Sequence, residues 1–74
     1  MKVLTDQTMQ MYFADAAKAA SPIDVWIDHP KAEFQYQSGV CYQANADHLV
    51  MGPEGSPVRV RIPYHAIRWF RGQQ

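Results

Sequence analysis

The apolar residues of this chain change their spacing once, at Ser21-Pro22, and that change limits the fold more than any other feature. Before it, Met9, Tyr12, Phe13, Ala16, Ala17 and Ala20 recur at i, i+3 and i+4, the stripe of an amphipathic helix. Gln7, Gln10, Asp15 and Lys18 fall on the other side. Thr5 is placed to cap the helix, Asp6 suits the positive end of its dipole and Lys18 the negative end. A helix over about 5–20 is predicted, ended by Pro22, which steers the preceding residue out of helical backbone.

Beyond Pro22 the period is two. Ile23, Val25 and Ile27 alternate with Asp24, Trp26 and Asp28, a first strand. After a turn at His29-Pro30-Lys31, the alternation predicts one long second strand from Ala32 to Ala44. Its core side is Ala32, Phe34, Tyr36, Ser38, Val40, Tyr42 and Ala44, and Cys41 falls on the polar side. Gly39 in its middle predicts a sharp bend, which lets one strand serve both halves of a small barrel. Asn45-Ala46-Asp47 forms a turn, and His48 to Met51 a third strand. Gly52 to Pro57 holds four chain breakers in six residues and is a loop. Val58, Val60 and Ile62 mark a fourth strand, Pro63 interrupts, and Ala66 to Phe70 is a fifth. The expected fold is mainly β with one N-terminal α-helix: a small, strongly bent, five-stranded antiparallel SH3-like or OB-like barrel, its open end covered by the helix. A single domain fills residues 1–74, with the barrel over about 22–71.

Size makes such a domain marginal on its own. Burial on folding contributes on the order of 115 kcal/mol by area scaling. Ordering the chain costs on the order of 110 kcal/mol. Cys41 is the one cysteine, so no intrachain disulfide can staple the fold, and a reducing compartment is expected. A partner subunit is the remaining staple. The short fifth strand, apolar and aromatic, is an edge that pairing with another copy would protect.

Seven basic and seven acidic residues cancel, but unevenly. Residues 1–53 carry three lysines against six acids, net −3, and residues 54–74 carry four arginines against Glu54, net +3. Several copies that bring those ends together make a basic surface. No apolar run approaches the ~18 residues of a membrane span. The start turns polar too soon for a signal peptide, so a cytoplasmic protein is expected.

From about Pro22 to Arg71 the chain resembles the Sm-like proteins, the LSm and bacterial Hfq group of ring-forming RNA binders. That family has a helix, then five bent strands, with two weak motifs around a variable loop. Gly39, Asn45 and the run Leu49-Val50-Met51 fall on the first motif, and Ile62 to Phe70 fits the second. His65-Ala66-Ile67 resembles the bacterial turn Tyr-Lys-His-Ala-Ile, and Gly52 to Pro57 matches the variable loop. The chain departs from the family where eukaryotic and archaeal members recognise uracil. Leu49 stands for their Asn, Pro63-Tyr64 for their Arg-Gly pair and Asp47 for their stacking aromatic; Tyr64 also replaces the bacterial Lys.

The resemblance implies a homo-oligomeric ring that binds single-stranded RNA, U- or A-rich, without catalysis. The turn between the last two strands would line a central pore and repeat His65 once per subunit. Tyr64 could stack a base, or be a half-buried strand-end tyrosine. Asn45 and His48 lie in the other pore-facing turn, where Asn45 and Asp47 also serve the turn backbone. Arg59 and Arg61 project from the polar face of the fourth strand, where they would bind RNA or keep an edge strand soluble. Arg68 and Arg71 flank Trp69 and Phe70, where they suit phosphate contact and stacking or pair with Asp24, Asp28 or Glu33. Subunits would join by pairing the fourth strand, through Val58, Val60 and Ile62, with the fifth of the next copy, through Ile67, Trp69 and Phe70. No cofactor is expected, and no catalytic or metal site: His29, His48 and His65 have no ligand-pair spacing. A second reading keeps the ring-forming barrel and makes it a protein adaptor or inhibitor that binds no RNA.

Overall fold

The structure, a computed structural model, describes residues 5–72. Residues 1–4, part of the start expected to turn polar too soon for a signal peptide, and residues 73–74 lie outside them. Helix α1 spans Asp6–Ala19. The Thr5 hydroxyl accepts from the Thr8 N–H at 3.1 Å, and Ala20 closes the other end in the left-handed region with its N–H on the Ala16 and Ala17 carbonyls. Five strands follow: β1 Pro22–Ile27, β2 Tyr36–Ala44, β3 His48–Gly52, β4 Val60–Pro63 and β5 Ile67–Gly72.

The strands form one antiparallel sheet in the order β4-β3-β2-β1-β5. It is not closed into a barrel: β4 and β5 are its two edges. Helix α1 packs over the inward face. Met9 and Phe13 join Ile23, Val25, Ile27, Cys41, Leu49, Met51, Ile62 and Tyr64 in one buried cluster. Phe13 is the hinge of its aromatic part, 4.9 Å from Phe70 and 6.1 Å from the parallel ring of Tyr64.

The unusual backbone of β2 falls at the expected glycine. Gly39 has φ +152°, and a Cβ there would stand 2.2 Å from the Gly52 carbonyl oxygen. A Cβ on Gly52 would in turn meet the Val58 carbonyl oxygen at 2.2 Å. Two glycines let β2, β3 and the following loop cross at backbone distance.

The second strand differs from its expected form at both ends. Ala32–Phe34 is a 3-10 turn, not strand. The reason is register: Trp26 pairs with Tyr36, and the Ile27 N–H donates to the Gln35 carbonyl at 2.9 Å. Residues 28–34 must therefore turn the chain round. Within β2 the expected faces hold only in part: Val40 is buried and Ala44 packs against the core as expected, but other positions are exchanged. Cys41 sits across from Met51 and is buried in the core, whereas Phe34, Tyr36 and Tyr42 are exposed. A register shift between Cys41 and Gln43 makes Tyr42 a bulge, which resets the alternation. The last strands also slip from the prediction. Val58 lies outside β4, Ala66 belongs to a 3-10 turn at Tyr64–Ala66, and β5 runs on to Gly72. Pro63 does not interrupt β4 but ends it, which an edge strand tolerates.

Candidate functional site

Two turns predicted to carry function come together at one end of the sheet. The turn between β2 and β3 holds Asn45, Asp47 and His48, and the 3-10 turn between β4 and β5 holds Tyr64 and His65. Tyr64 joins them. Its hydroxyl donates to the Asn45 carbonyl at 2.6 Å and its N–H donates to the Asp47 carbonyl at 3.0 Å. The next strand pair, His48 against Pro63, extends the connection into the sheet.

This placement corrects the reading of Tyr64 as a base-stacking residue. Only 1% exposed, it is enclosed against Phe13 and belongs to the core. Burial pushes its hydroxyl up to about 12, so the phenol stays neutral and keeps donating to Asn45.

Asn45 and His48 are held by a local network. The Asn45 amide lies 3.0 Å from His48 Nε2, and His48 Nδ1 lies 2.6 Å from Asp47 Oδ1. With Asn45 Nδ2 donating to Nε2, the neutral ring carries its proton on Nδ1 and donates it to Asp47. That hydrogen bond holds the Asp47 carboxyl below its ordinary range, with the charge of Arg61 adding to it. The Asn45 side-chain oxygen accepts from Gln43 at 3.0 Å. Hydrogen bonding within the turn thus occupies Asn45, while His65 is exposed on the adjoining turn.

The arginines divide. Arg59 donates to the Ser56 and Val58 carbonyls at 2.6 and 3.0 Å, and its guanidinium lies 3.6 Å over the Tyr42 ring. Arg61, opposite Val50 on the outward face of β4, is exposed. Arg71 pairs with Asp24 at 3.2 Å, one of the acids expected to meet it, and lies 5.3 Å from the Trp26 ring. Asp24 is itself 1% exposed and also accepts from the Tyr36 hydroxyl at 2.6 Å.

Sequence reasoning offered the Arg71–Asp24 pair but missed Tyr36 as its third member, because it assigned Tyr36 to the core. The usable signal was an acid between Ile23 and Val25, on a central strand, with a tyrosine opposite. It also missed Tyr42 as the platform for Arg59. Cys41 is unreactive in this setting, since burial raises its thiol.

The predicted subunit-contact side chains separate as well. Ile62 is a core residue, and Val60, Ile67 and Phe70 pack against the core, so these side chains point to the inward face and not to the outer face of the edges. Val58 and Trp69 remain open, Trp69 at 65% exposure. A groove of about 330 Å³ lies between β4 on one side and the end of β1 and the 32–34 turn on the other.

Among the described residues no cluster of histidine, cysteine and acids could hold a metal ion, and no helix is long and apolar enough to cross a membrane. The chain matches no family model, no curated protein and no solved structure.

Proposed function

We propose that this chain is an Sm-like subunit that assembles head-to-tail into a closed ring and binds single-stranded, U- or A-rich RNA without chemistry. The observation that carries the proposal is the strand order, with β4 and β5 as the two edges of one antiparallel sheet. Two different edges that complement each other generate a heterologous contact, and repeating it by rotation closes a ring. The backbone groups along each edge supply the pairing, so it survives the burial of Ile62 and Phe70 in the core.

Assembly would repeat the paired turns once per subunit. His65 is an exposed side chain on those turns for RNA, with His48 on the second turn and Arg59, beyond the far end of β4, for phosphate. Asn45 contributes by shaping the turn, since its amide and carbonyl are engaged. The cytoplasm suits the lone buried thiol.

The experiment is fluorescence anisotropy with labelled U-rich and A-rich oligonucleotides across a salt series. His65→Ala weakens binding about tenfold, a loss of the size of one base contact. Arg59→Ala flattens the dependence of affinity on salt, because a phosphate contact is lost. If the assembled protein binds neither oligonucleotide, the RNA reading falls and the ring is a protein adaptor instead. One observation favours that second reading: Asn45 and His48 already satisfy each other.

A further inference from the structure

The groove beside β4 and the exposed Trp69 on β5 belong to opposite ends of one contact. We infer that Trp69 of one subunit seats in the groove of the next. This rests on the head-to-tail assembly proposed above and adds which faces meet, which residue anchors them and which charges flank it.

Strand direction decides which faces can meet. Each strand runs antiparallel to its neighbours in the order β4-β3-β2-β1-β5, so β4 and β5 run in the same direction at opposite edges of the sheet. An edge has three fixed directions: along the chain, out from the sheet, and towards the core. Joining β4 to a neighbour's β5 in the more stable antiparallel sense requires a half-turn about the line between strands. That half-turn reverses the chain direction and also exchanges the two faces. The neighbour's outward face therefore lies over this subunit's inward one.

Register identifies the side chains concerned. On β5, Phe70 faces inward opposite Val25, and Trp69 faces outward opposite Trp26. On β4, Val60 and Ile62 face inward opposite Met51 and Leu49. The exchange carries Trp69 to the side of Val60 and Ile62, where the groove opens. Its apolar lining is Ile27, Phe34, Val60, Ile62, Pro63 and Ala66. At about 330 Å³ it has room for a large aromatic side chain. Trp69 is 65% exposed in the single subunit and Phe34 44%, so the contact covers apolar surface on both partners. Charge narrows the approach. Asp28 and Arg61 both line the groove, and the residue next to Trp69 on the incoming strand is Arg68, which must lie on the Asp28 side and away from Arg61.

The test uses the full chain with Trp26→Phe, which leaves Trp69 as the one fluorophore of its kind. On assembly its emission shifts to shorter wavelength and acrylamide quenching falls at least threefold; on dilution to single subunits both revert. Phe34→Asp, an exposed position, dissociates the assembly with the circular dichroism of the subunit unchanged. Val50→Asp, on the opposite face, leaves the assembly intact. Asp28→Arg weakens assembly and Arg68→Asp, added to it, restores it. An assembled protein in which Trp69 stays fully quenchable, or which tolerates Phe34→Asp, overturns this inference and leaves the ring standing. A wild-type protein that is a single subunit at every concentration overturns both.

Discussion

The two faces of the sheet are stabilised by different chemistry. The inward face is dry: Ile23, Val25, Leu49, Met51 and Ile62 pack under Met9 and Phe13, and each is less than a tenth exposed. The outward face buries a charge. Asp24 lies on the same central strand as Ile23 and Val25, shielded by Tyr36 and Arg71. Non-directional burial tolerates loss gradually, whereas a buried carboxylate depends on a few specific partners. The outward face is therefore the more specific of the two and the inward face the more stabilising.

Removing the centre of the inward face should have the largest effect. Phe13→Ala takes out a fully buried ring that touches Tyr12, Tyr64 and Phe70, and should cost about 3–5 kcal/mol. For a domain this small that is enough to leave it unfolded at room temperature, seen as a loss of the cooperative urea transition.

A smaller effect is expected across the sheet. Asp24→Ala removes the acceptor of the Tyr36 hydroxyl and the partner of Arg71. Arg71 is largely exposed and can return to water, so the cost is about 1–3 kcal/mol. Asp24→Asn keeps an acceptor for Tyr36 and should recover part of it. If both variants match wild type in urea, the outward cluster contributes nothing and the contrast between the faces fails.

Tyr64 lies on the seam between core and turns and gives the smallest effect at neutral pH. Tyr64→Phe loses the hydrogen bond to Asn45, about 1 kcal/mol. The sharper readout is alkaline. The folded hydroxyl ionises at about 12 against 10.0 in the unfolded chain, so its contribution is complete below pH 10 and is lost as pH rises through 12. The loss amounts to about 2–3 kcal/mol across that window. Unfolding curves from pH 9 to 12 should show it in wild type and not in Tyr64→Phe.

How much of this was legible in the sequence follows from how local each cause is. Helix α1 with its Thr5 cap, strand β1 and the special role of Gly39 depend on short-range sterics and spacing, and all stand where those place them. The long second strand did not, because the pairing of Trp26 with Tyr36 fixes where the turn must lie, and nothing in Ala32-Glu33-Phe34 announces that partner. The bulge at Tyr42 has the same origin and inverted the assignment of Cys41. At the candidate site, proximity of the two turns was expected from the family resemblance, and the geometry brings them together. The direction of Tyr64 was not expected: whether it faces the turn surface or Phe13 depends on a helix some 50 residues away in the chain.

The central claim is that β4 and β5 are mating edges. Light scattering on the purified chain over a concentration series tests it most directly. A single species of several subunits, converted by Trp69→Asp to the 8.5 kDa chain, is the predicted result. A wild-type species of 8.5 kDa throughout would contradict it.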